Sequence, residues 1–148
     1  MRENPAGAPK NGGLKLLFDR CLRLEFRGAK ITTDAGLLAV RELDEMMGLT
    51  EMAADLIVER RTGKNVQHQI PGLLRQSVYA RLAGYEDVND AERLRIDPAM
   101  RHVVGGRARE PEKQAASTSE VGRFETETLS TKSNLTALMD LSGHWIDR

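Results

Sequence analysis

Arginine side chains in the middle of the chain are the residues whose type and spacing best suit a chemical task. They lie on two stretches with helical periodicity and in the loop that follows: Arg75, Arg81, Arg93, Arg95, Arg101, Arg107 and Arg109. The planar guanidinium donates two parallel hydrogen bonds to a phosphate or to the edge of a guanine. We therefore predict that these seven arginines contact double-stranded DNA. The alternative is a solvated helix face on which they pair with Glu86, Asp87 and Asp90.

The distribution of charge favours a polyanionic partner, although the whole chain is neutral. Its 148 residues carry 22 basic and 22 acidic side chains. Residues 60–109 hold ten of the basic and five of the acidic ones, so this part has a net charge of +5 between flanks of −2 and −3. Such an excess is typical of nucleic-acid binding, but solvated helix surfaces produce it as well.

Acidic residues near position 90 offer a second kind of chemistry. Glu86, Asp87, Asp90 and Glu92 could together bind a divalent cation. They also surround a predicted helix start, where carboxylates stabilise the helix dipole. Capping is the preferred interpretation, and we predict neither catalytic nor metal-binding residues in this chain.

The single cysteine and the three histidines form no recognisable site. Cys21 cannot make an internal disulfide, and its place beside Leu22 predicts a small buried side chain. His68, His102 and His144 are far apart, so we expect surface or capping roles for them. The longest apolar run spans Leu37 to Val40, which is too short for a membrane span or a secretion signal. We therefore expect a cytoplasmic protein without a membrane partner.

Apolar periodicity predicts a series of short helices that position the arginines. They extend from Thr32 or Thr33 to Gly48, Leu49 to Gly63, Pro71 to Ala83, Asn89 to Val103 with a restart at Asp97 and Pro98, Ser119 to Thr128 and Asn134 to Trp145. Asn89 and Ser119 are the expected N-terminal caps of their helices. Leu22, Leu24 and Phe26 alternate with charged residues as in a half-buried strand, which needs a hairpin partner or a strand from outside the chain. The predicted fold is mainly α, with five to seven short helices and one or two N-terminal strands.

Two of the helices have clear predicted buried faces. In the first, the face consists of Leu37, Val40, Leu43 and Met47. In the third, it consists of Ile70, Leu74, Val78 and Leu82. Both sets follow the three-to-four-residue spacing of an amphipathic helix, so we expect both to face the core.

Several stretches resemble a known family. They are ITTDAGLL at Ile31–Leu38, RELD at Arg41–Asp44, LRQSVY at Leu74–Tyr79, and AGYEDVNDAERLR at Ala83–Arg95 followed by Asp97-Pro98. They resemble the DDE transposases of bacterial insertion sequences, the thirteen-eighty family, densely over residues 20–104. A second stretch, Ala116–Ser119 with Arg123–Glu125, is similar to a later family motif, although Thr126 stands where the family tends to have Asn.

The resemblance implies a protein that binds transposon ends and performs strand cleavage and transfer with two Mg²⁺ ions on an RNase H-like core. The acidic residues of this chain do not match the family's catalytic positions. We therefore expect a truncated N-terminal piece whose fold is incomplete without that core and which does not cut DNA alone. No cofactor is expected in this fragment, and Mg²⁺ is implied only for the full-length family.

The same reasoning predicts how the chain is divided. We expect a flexible arm at 1–13, a helical DNA-binding region at 14–104, a linker at 105–118 and a helical lead-in to the catalytic core at 119–148. The expected partner is double-stranded DNA of the transposon ends, and homodimerisation is left open. The alternative function is a helical protein-interaction or dimerisation module without nucleic-acid contact.

Overall fold

The computed structural model describes residues 14–24, 34–62, 66–105 and 113–147. Within these ranges the chain is mainly helical with a short N-terminal hairpin, which confirms the predicted fold class. The expected arm at 1–13 lies outside the described residues, as do Arg107 and Arg109.

The elements begin with two strands and continue as helices. The strands are β1 (Leu14–Lys15) and β2 (Arg23–Leu24). The α-helices are α1 (Gly36–Met47), α2 (Leu49–Leu56), α3 (Ile70–Leu82), α4 (Ala91–Leu94), α5 (Pro98–Val103), α6 (Thr118–Arg123), α7 (Lys132–Met139) and α8 (Leu141–Ile146). A 3₁₀ helix (Val88–Asp90) precedes α4, and a π-helix (Phe124–Leu129) continues α6.

The described part of the chain thus has more helical segments than the sequence predicts. The restart predicted at Asp97 and Pro98 is confirmed, because the Pro98 ring occupies the first turn of α5. Asp97 caps that turn, because its side chain accepts a hydrogen bond from the Met100 backbone N–H at 2.8 Å. The segment predicted as Asn134–Trp145 divides at Asp140 into α7 and α8.

The strand predicted around Leu24 pairs with another strand of the same chain. β1 and β2 pair antiparallel, with Leu14 opposite Leu24 and Lys15 opposite Arg23. The hairpin is tied to α1 by a hydrogen bond from the Leu17 backbone N–H to Glu42 Oε2 at 2.7 Å. No strand from outside the chain is needed for this pair.

Helix α3 lies between two hydrophobic clusters. Its N-terminal half supplies Leu73 and Leu74 to a cluster with α2, α6 and the π-helix, where Phe124 is completely buried. Its C-terminal half supplies Tyr79 to a cluster with α1, α4 and α5. Because α3 belongs to both clusters, its position fixes the arrangement of the elements that carry the arginines.

The predicted buried faces of α1 and α3 are only partly correct. Leu37 is buried, but Leu43 is 54% exposed, and polar side chains (Arg41, Glu42 and Asp44) take the buried positions of α1. On α3, Ile70 and Leu74 are buried as predicted, whereas Val78 is 38% and Leu82 is 62% exposed. The reason is that α1 faces polar partners on the hairpin, α2 and α3, which the apolar pattern of a single helix does not reveal.

The segment predicted as an exposed linker is packed at its C-terminal end. Ala115 and Ala116 are buried, and Ala116 exchanges two hydrogen bonds of 2.8 Å with the buried side chain of Gln76. Ser117 then caps α6 in a reciprocal capping box with Glu120, two residues before the cap expected at Ser119. Residues 113–117 are thereby fixed against α3.

Candidate nucleic-acid interface

A basic cavity of about 660 Å³ lies between the start of α3, the end of α5 and the segment 113–115. Its lining includes four cationic side chains: Arg75, Arg95, Arg101 and Lys113. Among the described lining residues, Glu120 carries a carboxylate. The structure thus brings three of the seven predicted arginines to one place.

A glycine permits the close approach of the two helices that border this cavity. A Cβ atom at Gly72, in the first turn of α3, would lie 3.1 Å from the backbone oxygen of Val104 at the end of α5. This is closer than ordinary van der Waals contact. The absence of a side chain at Gly72 therefore allows α3 and α5 to hold Arg75 and Arg101 beside the same space.

Arg75 is a buried member of the set and is firmly held. It is 8% exposed, and its Nε donates a hydrogen bond of 3.0 Å to Thr50 Oγ1. The same Nε lies 3.6 Å from Asp44 Oδ2. Part of its charge is therefore compensated by Asp44, while the side chain still lines the cavity.

Asp44 organises a buried polar cluster behind Arg75. It accepts hydrogen bonds from the Thr50 backbone N–H at 2.8 Å, from the Thr50 hydroxyl, and from Tyr79 Oη at 2.6 Å. Burial by itself raises the pKa of Asp44, but these hydrogen bonds and the charge of Arg41 together bring that pKa below its ordinary value. Burial and the neighbouring carboxylate raise the pKa of Tyr79, so its hydroxyl stays protonated and donates.

Arg95 lies at the C-terminal end of α4 and connects it to the segment 113–115. Its Nε donates to Gln114 Oε1 at 2.9 Å, and its Nη1 pairs with Glu92 Oε1 at 2.8 Å. Its backbone oxygen accepts from the Ala115 N–H at 2.9 Å. With its side chain 31% exposed, Arg95 combines a fixed position with access to solvent.

Arg101 and Lys113 complete the basic lining from two different elements. Arg101, on α5, is 5% exposed, whereas Lys113, at the other side of the cavity, is exposed. The cavity therefore has two buried guanidinium groups, on Arg75 and Arg101, and two accessible cations, on Arg95 and Lys113.

His68 borders the same cavity and faces two hydrogen-bond acceptors. Its Nδ1 lies 2.9 Å from Glu120 Oε1, and its Nε2 lies 3.1 Å from the Gln114 backbone oxygen. The ring is thus held between α6 and the segment 113–115. Burial raises the pKa of Glu120, but hydrogen bonds from Ser117 and His68 bring it below its ordinary value.

Sequence reasoning did not include His68 and Lys113 among the site residues. Lys113 lies four residues after Arg109, but Glu110 and Glu112 stand between them, so the charge pattern does not single it out. For His68 no sequence signal exists, because both of its partners are more than 40 positions away along the chain.

Two further predicted arginines lie away from the cavity lining. Arg81 forms a two-pronged ion pair with Glu125. Arg93 is exposed, with its guanidinium carbon 4.9 Å from the centre of the Tyr85 ring. The Tyr85 hydroxyl in turn donates to Asp34 at 3.2 Å. Arg107 and Arg109 fall outside the described residues.

The acidic residues considered for cation binding have structural roles where their contacts are described. Asp87 Oδ1 accepts a hydrogen bond of 2.8 Å from the Asn89 backbone N–H and so caps the 3₁₀ helix, whereas the sequence predicted a cap at Asn89. Glu92 pairs with Arg95. Among the residues that the structure describes, no three His, Cys, Asp or Glu side chains are grouped so that they could hold a metal ion. This part of the chain therefore does not fit the Mg²⁺ ions implied by the resemblance.

One prediction about a reactive side chain was wrong. Cys21 is exposed, although the strand-like pattern predicted a small buried side chain. It lies in the turn that joins β1 and β2 and not in a strand, so the alternation of a strand does not apply to it. In the ranges covered by the structure, no helix has the length and apolar character required to cross a bilayer.

These observations define a mainly helical protein in which cationic side chains from three helices and a connecting segment meet at one cavity. Residues 14–148 match the family model described as transposase DDE domain, group 1, and the chain belongs to this family. No curated protein and no solved structure matches the chain.

Proposed function

We propose that this chain is a DNA-binding region of a transposase that moves a bacterial insertion sequence of the thirteen-eighty family. Its ligand is the double-stranded DNA of the transposon ends, which it meets in the cytoplasm. Binding as a homodimer would present two copies of the cavity, one to each transposon end.

The observation that carries this proposal is the convergence of Arg75, Arg95, Arg101 and Lys113 on one cavity in a chain of the transposase family. Guanidinium and ammonium groups bind phosphate oxygens through charge-assisted hydrogen bonds. Arg95 and Lys113 are accessible, so they are the groups that we assign to the DNA backbone. Arg93 and Arg81 are assigned as additional DNA contacts outside the cavity. Arg81 is expected to contribute less to DNA binding, because its guanidinium already pairs with Glu125.

DNA cleavage is not assigned to the described residues. Two-metal strand cleavage needs several carboxylates converging on ions about 3.5 to 4 Å apart. The carboxylates with described contacts here cap helices or pair with arginines, as Asp87 and Glu92 do. We propose that the basic residues of the cavity hold DNA, while other acidic residues of the transposase perform the cleavage. Duplex cleavage that is abolished by Asp87→Asn together with Asp90→Asn would contradict this.

The test of DNA binding is its dependence on salt. Fluorescence anisotropy with a labelled duplex, between about 50 and 300 mM NaCl, gives a plot of log affinity against log salt whose slope is about −0.9 per phosphate contact. We expect Arg95→Gln combined with Lys113→Gln to make this slope shallower by about 2. The matched control combines Arg60→Gln with Lys132→Gln, which removes the same charge from exposed positions outside the cavity lining and should leave the slope unchanged.

A second candidate function rests on exposed apolar side chains of α7 and α8. Met139 is 80% exposed and Ile146 is 76% exposed, which is unusual for large apolar residues on neighbouring helices. This favours a protein-interaction module. Binding to duplex that is absent at low salt, together with self-association or partner binding that is insensitive to salt, would support this candidate instead.

A further inference from the structure

A second cavity, of about 390 Å³, is bordered by the end of α4 and the start of α5. We call it the Tyr85 cavity, and its lining includes Asp34, Tyr85, Arg93, Ile96, Asp97 and Pro98. Arg93 and Arg95 are two positions apart, and residues with this spacing do not face the same side of a helix. Arg93 therefore lines the Tyr85 cavity, whereas Arg95 lines the basic cavity.

The Arg93 guanidinium is held over an aromatic ring. Its central carbon lies 4.9 Å from the centre of the Tyr85 ring, and the Tyr85 hydroxyl donates to Asp34 at 3.2 Å. Among the residues that the structure describes, no carboxylate pairs with Arg93, whereas Arg81 and Arg95 both have such partners. Because Arg93 is exposed, the side of its guanidinium that is turned away from the ring is accessible.

The rest of the lining combines apolar surface with hydrogen-bond acceptors. Ile96 is 58% exposed, and Pro98 near it is exposed as well. Asp34 and Asp97 add two carboxylates to the cavity. A carboxylate has about four acceptor positions. Asp34 therefore keeps acceptor positions besides those that bind the Tyr85 hydroxyl, and Asp97 keeps Oδ2 besides the Oδ1 that caps α5.

A nucleobase has the surfaces that match this lining. Its flat faces stack on aromatic rings and on the guanidinium plane of arginine. Adenine carries an amino group that can donate to a carboxylate, whereas the corresponding group of thymine is an acceptor. The volume of the cavity falls within the range of about 300 to 1,000 Å³ that is typical of small-molecule sites. A base inside a duplex is covered by its neighbours on both faces, so only an unpaired base can stack here.

We propose that the Tyr85 cavity binds an unpaired nucleobase with an amino group, which stacks on the Arg93 guanidinium and donates to Asp34 or Asp97. The base belongs to a DNA strand or to a free nucleoside. The strand source rests on the proposed function, because DNA binding brings the base to the cavity. The Tyr85 ring holds the guanidinium in place before the base arrives, so binding requires little ordering of side chains.

The experiment compares three duplexes that differ in a single unpaired nucleotide at one strand end, which is adenine, thymine or abasic. The three probes carry the same phosphates, and an overhanging base is already unpaired, so its binding has no cost of unpairing. With the full chain at low salt, we expect the adenine duplex to bind about five- to tenfold more tightly than the abasic duplex. The gain for thymine should be clearly smaller.

Three variants separate stacking, charge and hydrogen bonding. Arg93→Lys keeps the charge but removes the planar group, so it should abolish the adenine preference without changing the salt slope. Arg60→Lys changes an exposed arginine outside both cavities and is the matched control, which should keep the preference. Asp34→Asn introduces an amide that can donate to thymine, so it should raise thymine binding relative to adenine. Circular dichroism of each variant confirms that it folds.

A second arm measures the shift in melting temperature caused by adenosine, which carries no phosphate. If adenosine raises the melting temperature of the wild type and of Arg60→Lys but not of Arg93→Lys, while the adenine and abasic duplexes bind equally, the source is a free nucleoside. If the adenine duplex binds more tightly and adenosine has no effect, the source is a DNA strand.

The outcomes separate this inference from the proposed function. Equal binding of the adenine and abasic duplexes, with no effect of adenosine, overturns the nucleobase site but leaves DNA binding intact. No duplex binding, with stabilisation by adenosine that Arg93→Lys removes, supports the site and contradicts the DNA-binding function. Loss of the adenine preference in both Arg93→Lys and Arg60→Lys means that the preference does not depend on the cavity, and it also overturns the site. Equal gains for adenine and thymine overturn the role of the two carboxylates.

Discussion

Arg81 and Glu125 meet through two parallel contacts, from Nη1 to Oε1 at 2.8 Å and from Nη2 to Oε2 at 3.0 Å. The pair joins the last turn of α3 to the first turn of the π-helix, 44 positions further along the chain. Ser77, one turn before Arg81, donates to the same carboxylate at 2.6 Å. Hydrogen bonds from Arg81, despite partial burial, hold the pKa of Glu125 below its ordinary value. The part of the chain similar to the later family motif is thereby attached to the helix that lies between the two clusters.

The Arg81–Glu125 pair should have a measurable but modest coupling energy. In a double-mutant cycle with Arg81→Gln and Glu125→Gln, we expect a coupling of about 0.5–1 kcal/mol at low salt, since the geometry is bidentate but the Arg81 side chain is 49% exposed and screened. The cycle is measured by urea unfolding. The Glu92–Arg95 pair, with Glu92 64% exposed, is the comparison and should give no more than about half that value. A larger coupling energy for the Glu92–Arg95 pair would contradict the conclusion that the Arg81–Glu125 pair is the stronger of the two.

The polar cluster around Asp44 should contribute much more to stability. Asp44→Asn leaves Arg41 and Arg75 without their shared buried carboxylate, and we expect the free energy of unfolding to fall by about 2–4 kcal/mol. Tyr79→Phe keeps the buried ring and removes only the donor to Asp44, so a loss of about 1–2 kcal/mol is expected. Urea unfolding monitored by circular dichroism measures both. A smaller effect for Asp44→Asn than for Tyr79→Phe would be inconsistent with Asp44 as the centre of the cluster.

Stability should decrease in acid. The pKa values of Asp44, Glu120 and Glu125 are all lower in the folded protein than their ordinary values of 3.8, 4.5 and 4.5. The unfolded chain therefore binds more protons as the pH falls, so the stabilisation is complete above about pH 5 and is lost progressively below about pH 4. Urea midpoints at pH 7, 5, 4 and 3 test this. Asp44→Asn should have a shallower pH dependence, and a wild-type midpoint that is constant down to pH 3 would refute the sign.

Two glycine positions should respond differently to alanine. At Gly36, in the first turn of α1, an added Cβ has no neighbour within 4 Å among the described residues, so Gly36→Ala should stabilise the protein by about 0.5–1 kcal/mol through helix propensity. At Gly72 the same change meets the Val104 oxygen at 3.1 Å. We expect Gly72→Ala to be less stable than Gly36→Ala by about 1 kcal/mol or more. Melting temperatures of the two variants give the comparison. Equal increases in melting temperature would show that α5 can move away from α3 without loss of stability.

Gly72→Ala also tests how the basic cavity is formed. Since Gly72 and Val104 both line it, displacement of α5 should weaken binding of duplex DNA even when the protein remains folded. Gly36→Ala should leave that binding unchanged. This separates an effect on the shape of the cavity from a general effect on helix stability.

The sequence by itself determined the local features of this protein. Helix α1 ends at Gly48, whose φ of 66° suits a glycine, and Asp97 with Pro98 starts α5, as their residue types predict. These signals act within one turn of the backbone, so a neighbouring stretch of sequence is sufficient to specify them. The family and the mainly helical class followed from motifs and periodicity of the same local kind.

The tertiary structure alone decided which side chains meet. Arg75 and Arg101 line the same basic cavity, while Arg81 pairs with Glu125. All three arginines lie on predicted helices, and the sequence pattern does not distinguish their partners. The buried face of α1 is polar because Thr50 and Tyr79 lie opposite Asp44. Each of these outcomes depends on a partner that is distant in the chain, and burial forces a polar group to find such a partner or lose its hydrogen bonds. A helical period identifies the face of a helix, but it does not identify what lies against that face.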